Sequence, residues 1–152
     1  MSLVEQHSSL VLSTEMETDK IHTLIVEDNL DHLELIKNVL GKTKFDYVID
    51  QATTGKEAVE KIKNKKYNLA IIDVGLPDMT GFTVVREAKL ADLGLVTIMI
   101  STSSSSIDIH HAYQLSVVAY IVKPSRYVSL IPFFDGLSDV MTNESYRRPN
   151  DE

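Results

Sequence analysis

From residue 20 onward, short apolar runs alternate with stretches whose apolar residues recur at helical spacing. The run Ile21-His-Thr-Leu-Ile-Val26 reads as a strand and stops abruptly at Glu27-Asp28-Asn29. Leu33, Ile36 and Leu40 then share one helical stripe, flanked by Leu30 and Val39, with Gly41 placed just past the helix end. Tyr47 to Asp50 is a second short strand, closed by Thr53-Thr54-Gly55. Ala58, Val59 and Ile62 mark the buried face of a helix whose other face carries Lys56, Glu60, Lys61 and Lys63. Leu69 to Asp73 is almost continuously apolar, the pattern of a strand covered on both faces. The turn-rich Gly75-Leu-Pro-Asp-Met-Thr-Gly81 leads into a short helix over Phe82 to Leu90. Leu95 to Ile100 is a fourth strand, Ser101 to Ser106 a hydroxyl-rich loop, and Ile107 to Leu115 a fourth helix. Val117 to Val122 is a fifth strand, and Tyr127 to Met141 a last helix. Strands alternating with helices through short loops predict an α/β fold: a doubly wound, five-stranded parallel sheet with helices on both faces.

Composition narrows what such a sheet can do. The chain has 152 residues, a length suited to one core. It contains no cysteine, which excludes disulfides, zinc-thiolate sites and cysteine nucleophiles. A net charge of −7 argues against direct nucleic-acid binding, which relies on clustered Lys and Arg. The lysine cluster Lys61, Lys63, Lys65 and Lys66 reads as a solvated helix end. Apolar runs fall well short of the ~20 residues a membrane span needs, and Glu5 and His7 stand where a signal peptide would be basic. A cytoplasmic protein is expected. Residues 1–19 read as a flexible N-terminal extension and 143–152 as a polar C-terminal tail, leaving 20–142 as the folded unit.

Polar chemistry collects at the strand ends. Glu27 and Asp28 follow the first strand, Asp73 ends the third, Ser101 follows the fourth and Lys123 the fifth. Parallel strands share one direction, so these residues lie along one edge of the sheet, where ligands of open α/β folds bind. If strands one and three are neighbours, the three carboxylates converge. They then repel one another unless a cation lies among them, and hard oxygen donors favour Mg²⁺. A carboxylate nucleophile, a divalent metal, a lysine and a hydroxyl donor are the parts needed to accept a phosphoryl group.

These pieces, Val26-Glu27-Asp28-Asn29, Ile72-Asp73-Val74-Gly75-Leu76-Pro77, Ile100-Ser101-Thr102 and Tyr120-Ile121-Val122-Lys123-Pro124, stand in an order that resembles the receiver domain of two-component response regulators. The resemblance covers about four-fifths of the chain, Lys20 to Met141. It implies a flavodoxin-like strand order 2-1-3-4-5, with 20–142 as the receiver domain. Asp73 would be the phosphoacceptor, with Glu27, Asp28, Asp73 and the carbonyl of Gly75 as metal ligands. Ser101, Thr102 and Lys123 would stabilise the phosphoryl group. Ser101 and Tyr120 would form the switch pair, and Pro124, where the family often has a cis bond, would fix the Lys123 loop. The implied partners are a sensor histidine kinase or phosphotransfer protein and a downstream protein, with no direct nucleic acid or membrane, and with a homodimer open. The chain is read as a stand-alone regulator, nearest those paired with bacterial phytochromes. Its output would leave through the fourth helix, fifth strand and fifth helix, where Tyr113, Arg126 and Tyr127 are candidate exposed residues.

Departures from the family pattern are Thr102, where Ala or Gly is usual, Ser116-Val117 in place of Gly-Ala, and Thr80 in place of Asp. They bear on phosphorylation rate and lifetime. Thr102 in particular would crowd the approach to Asp73. Two alternatives remain beside phosphoryl reception: a pseudo-receiver binding proteins without phosphorylation, and, more distantly, a small phosphatase. Against the latter, the position two after Asp73 is Gly75 rather than a second acid. A flavodoxin-type FMN site at the serine loop is disfavoured by the acidic Glu27-Asp28 after the first strand. His110 and His111, adjacent on a helix, point apart and read as surface residues.

Overall fold

The computed structural model describes residues 20–142; the expected N-terminal extension and C-terminal tail lie outside the described residues. Five parallel strands, β1 (Lys20–Val26), β2 (Asp46–Ala52), β3 (Leu69–Asp73), β4 (Val96–Ser101) and β5 (Ala119–Val122), form one sheet in the order β2-β1-β3-β4-β5. The helices are α1 (Leu30–Gly41), α2 (Gly55–Asn64), α3 (Gly81–Ala91), α4 (Ser106–Gln114) and α5 (Ile131–Thr142). The predicted fold class and strand order are therefore those observed.

Alternation along the strands sorts the core into two layers. Leu24, Val26, Ala70, Ile72 and Met99 face α2, α3 and α4, where Ala58, Ile62, Phe82, Val84, Val85 and Ala88 complete one cluster. Ile21, Ile25, Leu69, Ile71, Ile98 and Ile100 face α1 and α5 and pack on Leu33, Ile36, Val39, Leu40 and Phe134. β3 is the central strand and all five of its residues are buried. A side chain at its carboxyl end therefore lies in the middle of the sheet edge.

Side-chain caps begin the helices. Asn29, Thr54, Thr80 and Ser105 each accept a hydrogen bond from a backbone N–H of the first turn of α1, α2, α3 and α4. Each of these residues closely follows a strand or its loop, so the strand-to-helix turns are short and their direction is set locally.

Strand ends shift by one or two residues, β2 running from Asp46 to Ala52 instead of Tyr47 to Asp50, and the structure also differs from the sequence reading elsewhere. Gly41 is the last residue of α1 rather than the residue beyond it, because Lys42 closes the helix in a right-handed conformation and no glycine needs a positive φ. The last helix is broken: Tyr127–Leu130 forms a 3₁₀ turn and α5 starts at Ile131. Pro132 explains the break, since it has no N–H to donate backward and fits only the first turn of a helix. β5 starts at Ala119 because Ser116, at φ 63°, turns the chain immediately after α4. The peptide bond before Pro124 is trans, as are all those described.

Candidate functional site

The carboxyl edge of the sheet opens into a cleft of about 430 Å³. Of the residues expected there, Glu27, Asp28, Asp73, Gly75, Ser101, Thr102 and Lys123 all line it. The strand pairings account for this: β1 and β3 are neighbours, with Val26 opposite Ile72, so Glu27 and Asp73 leave the sheet side by side. Asp73 pairs with Ile100 on β4, one residue before Ser101, and Lys123 N–H donates to the Ser101 carbonyl at 2.7 Å. That last bond carries the ladder one step beyond β5 and fixes where Lys123 leaves the edge strand, independently of any cis proline.

Glu27, Asp28 and Asp73 each offer a carboxylate oxygen within 4.8 Å of the others. Glu27 is fully buried and Asp73 nearly so, whereas Asp28 is exposed. Burial, and then the Asp73 carboxylate beside it, push the Glu27 carboxyl up to about 7 against the opposing pull of Lys123. Lys123, whose side chain is only 6% exposed, places its ammonium 2.6 Å from Glu27 Oε1 and 3.0 Å from Asp73 Oδ2. Burial draws Lys123 down, but hydrogen bonds to the two carboxylates outweigh it and hold the ammonium above its ordinary pKa. Three convergent hard oxygens suit a divalent cation such as Mg²⁺, which would relieve the repulsion between Glu27 and Asp73.

Around this centre the loops are tied down. The β3–α3 loop is held by an antiparallel bridge between Gly75 and Thr80 and by Gly81 N–H donating to Val74 O at 2.7 Å. Its Asp78 carboxylate reaches across to accept from Gly55 N at 2.8 Å and Lys56 N at 2.9 Å, joining that loop to the start of α2. Those two N–H donors hold Asp78 below the usual carboxylate range.

In the β4–α4 loop, Ser101 Oγ accepts from Ser103 N at 3.1 Å, so its own hydrogen is left to point elsewhere. Ser103 Oγ donates to Asp108 at 2.7 Å. Thr102 is exposed and lines the cleft together with Asp73. Tyr120 does not line the cleft. It packs against the core behind the loop, and its hydroxyl donates to Ser103 O at 2.8 Å, while its backbone N–H donates to the Tyr113 hydroxyl at 3.2 Å.

Sequence reasoning gave no site role to Asn29, His32, Val74 and Ser103, which also line the cleft, and of these His32 reaches Lys123. His32 stands on the first turn of α1, three residues after the cap Asn29, and its Nδ1 lies 2.9 Å from Lys123 Nζ. The signal was present: an N-cap immediately after a strand end turns the first helical turn back over that end. Tyr127, expected at the surface, instead packs on the core and brings its ring to 6.3 Å from His32, and its hydroxyl is buried without a partner. The cause is the 3₁₀ turn that it opens. Tyr113 and Arg126 are exposed as expected. Of the two histidines of α4, His110 is exposed and His111 stacks on Phe82 at 4.2 Å.

Residues 23–132 match the family described as response regulator receiver domain. The chain belongs to that family. It is 35% identical over 101 residues to the chemotaxis protein CheY of Bacillus subtilis, a match covering 66% of this receiver and 83% of CheY. The phosphorylated cyanobacterial phytochrome response regulator RcpA has the same fold, with a TM-score of 0.73 at 24% identity over 86% of this chain and 99% of that one. The Mg²⁺–BeF complex of the response regulator TrrA from Thermotoga maritima gives a TM-score of 0.67 at 26% identity, covering 77% and 98%. By contrast, the chain spans only 29% of the transcriptional regulatory protein ZraR of Klebsiella oxytoca, to which it is 24% identical. Among the described residues of this receiver, no helix is long and apolar enough to cross a membrane.

Proposed function

We propose that this receiver accepts a phosphoryl group on Asp73 from the phosphohistidine of a sensor kinase or phosphotransfer protein and passes the signal on through protein contacts. The observation that carries the reading is the trio Glu27, Asp28 and Asp73 within 4.8 Å, with the ammonium of Lys123 bridging Glu27 and Asp73. A carboxylate oxygen of Asp73 attacks phosphorus, the P–N bond breaks, and the departing imidazole takes up a proton. The donor set of Glu27, Asp28, Asp73 and the Gly75 carbonyl fits Mg²⁺, which when bound would neutralise charge on the transferring group. Lys123 serves the same end from the other side, and Ser101 offers its hydroxyl hydrogen to a phosphoryl oxygen.

Thr102 stands at the cleft, where it would help hold the phosphoryl group, and Ser101 and Tyr120 lie on one chain of contacts from the cleft through Ser103 to Tyr113. A pull on the Ser101 loop is thereby passed to α4 and β5, the face through which output would leave, with Pro124 ending the Lys123 segment. The receiver unit is taken as residues 20–142, acting in the cytoplasm. The chain is read as catalysing only its own phosphorylation and dephosphorylation, and Gly75, two residues past Asp73, supplies no second acid for sustained hydrolysis of an external ester.

Intact-mass measurement after incubation with acetyl phosphate tests this. One phosphoryl adduct is expected, dependent on Mg²⁺ and absent in Asp73→Asn. No adduct in the wild type, with acetyl phosphate or with a cognate kinase, would leave the fold as a phosphorylation-independent binding module. An adduct that persists in Asp73→Asn would place the chemistry on another residue.

A further inference from the structure

Lys123 carries three ammonium hydrogens and meets three acceptors: Glu27 Oε1 at 2.6 Å, Asp73 Oδ2 at 3.0 Å and His32 Nδ1 at 2.9 Å. An ammonium group only donates, so His32 must accept through a bare Nδ1 and carry its ring hydrogen on Nε2. The ring is held from two sides. The His32 backbone N–H donates to the Asn29 cap at 3.1 Å, fixing the first turn of α1, and the Tyr127 ring stands beyond the imidazole at 6.3 Å. The bland alternative is a part-exposed histidine that fills space at a helix start. Three acceptors matched to three hydrogens on a lysine that is only 6% exposed weigh against it.

We propose that His32 is a positioning residue for Lys123, holding its ammonium over Asp73 through the one contact that the acidic cluster does not supply. The inference rests on the phosphoryl-acceptor reading and deepens it. Glu27 and Asp73 are the oxygens that the cluster would offer to a cation, so their hold on Lys123 is the part open to competition. His32 belongs to another element, α1, and is uncharged when it accepts. It therefore keeps one ammonium hydrogen engaged while the other two are free to turn toward a phosphoryl oxygen on Asp73. The lysine approaches the phosphoryl group already oriented instead of being recruited from solvent.

The test is the rate of phosphorylation by acetyl phosphate at saturating Mg²⁺, read by intact mass, in wild type, His32→Leu and His32→Asn. Leucine keeps bulk and removes the acceptor, whereas the Asn Oδ1 falls close to where Nδ1 was. Loss of one hydrogen bond to a charged group predicts a rate lower by about 10- to 100-fold in His32→Leu, with His32→Asn within about twofold of wild type. A wild-type rate in His32→Leu, or equal losses in both variants, overturns the proposal, since a space-filling role would not distinguish the amide from the alkyl group. Long-range proton–nitrogen spectra of the unphosphorylated protein give a second reading. The proposal requires the His32 hydrogen on Nε2, and a hydrogen on Nδ1 refutes it. A wild type that takes up no phosphoryl group sinks the parent reading as well, so the two failures are told apart.

Discussion

Replacing Gly81 with alanine perturbs the backbone beneath Asp73 without touching any side chain of the cleft. A Cβ on Gly81 would overlap the Asp73 carbonyl oxygen, and would stand 2.8 Å from the Asp73 carbonyl carbon and 3.0 Å from Val74 Cα. These are main-chain atoms at the carboxyl end of β3, the central strand, which is buried along its whole length, and they cannot swing aside as a side-chain tip can. Nor can α3 back away cheaply, because Gly81 N–H is tied to Val74 O at 2.7 Å. Overpacking of this kind costs about 3 kcal/mol, the upper end of its usual range. For a domain of this size that lowers the melting midpoint by about 10 °C.

The chemical effect should exceed the thermal one, since a displacement of about 1 Å at a reacting group can cost about a hundredfold in rate. Thermal melts and the acetyl phosphate rate, measured on the same samples, read both. Two other glycines calibrate the result. Gly75→Ala meets nothing within 4 Å and should melt like wild type. A Cβ at Gly55 would run into Met79 Cγ, with Sδ at 2.6 Å and Val84 Cγ2 at 3.1 Å, but the methionine can rotate away. That variant should lose some stability and keep its phosphorylation rate. If Gly81→Ala melts within about 1 kcal/mol of wild type, or is no worse than Gly75→Ala, the strand–helix contact does not hold Asp73 as argued.

Three further outcomes follow from particular residues. Thr97 is fully buried in β4 and its hydroxyl has no partner, so the isosteric Thr97→Val should stabilise the fold by about 1 kcal/mol in a denaturant titration; a loss of stability would mean the hydroxyl is satisfied. Ser116 sits at φ 63°, a conformation that costs a residue with a side chain about 1–2 kcal/mol, so Ser116→Gly should raise the melting midpoint by a few degrees, and no rise would show the turn to be unstrained. The hydrogen bond from Lys65, and then that from Tyr67, hold the Asp50 carboxyl below its ordinary 3.8. Its contribution is therefore present above the unfolded-state pKa and lost as pH falls through the lower folded one. A third of the side chain is exposed, so screening limits the effect. Asp50→Asn should melt about 2–4 °C lower at pH 7, and the gap to wild type should narrow as pH falls below the ordinary 3.8; a gap unchanged in acid would refute the assignment.

What the sequence determined by itself was the alternation of five strands and five helices and the nature of the chemistry at the strand ends. β3 was legible to the residue because a strand covered on both faces must be apolar throughout, and Asp73 breaks that run at its last position. The carboxylates, Ser101 and Lys123 were legible for a related reason: charge at the end of a buried parallel strand needs a partner, and the sheet edge is the one place where partners from several strands meet.

Local pattern could not fix what long-range packing decides. Whether β1 adjoins β3, and hence whether Glu27 meets Asp73, is settled by strand pairing between segments far apart in sequence. His32 and Lys123 are 91 residues apart, and no periodicity connects them. Tyr127 read as an exposed helical residue until the 3₁₀ turn ahead of Pro132 rotated it onto the core. Apolar and polar spacing records which face of an element is buried, because burial acts on each element separately. Which side chain from a distant element completes a site depends on the direction each loop takes as it leaves the sheet, and only the assembled fold sets that direction.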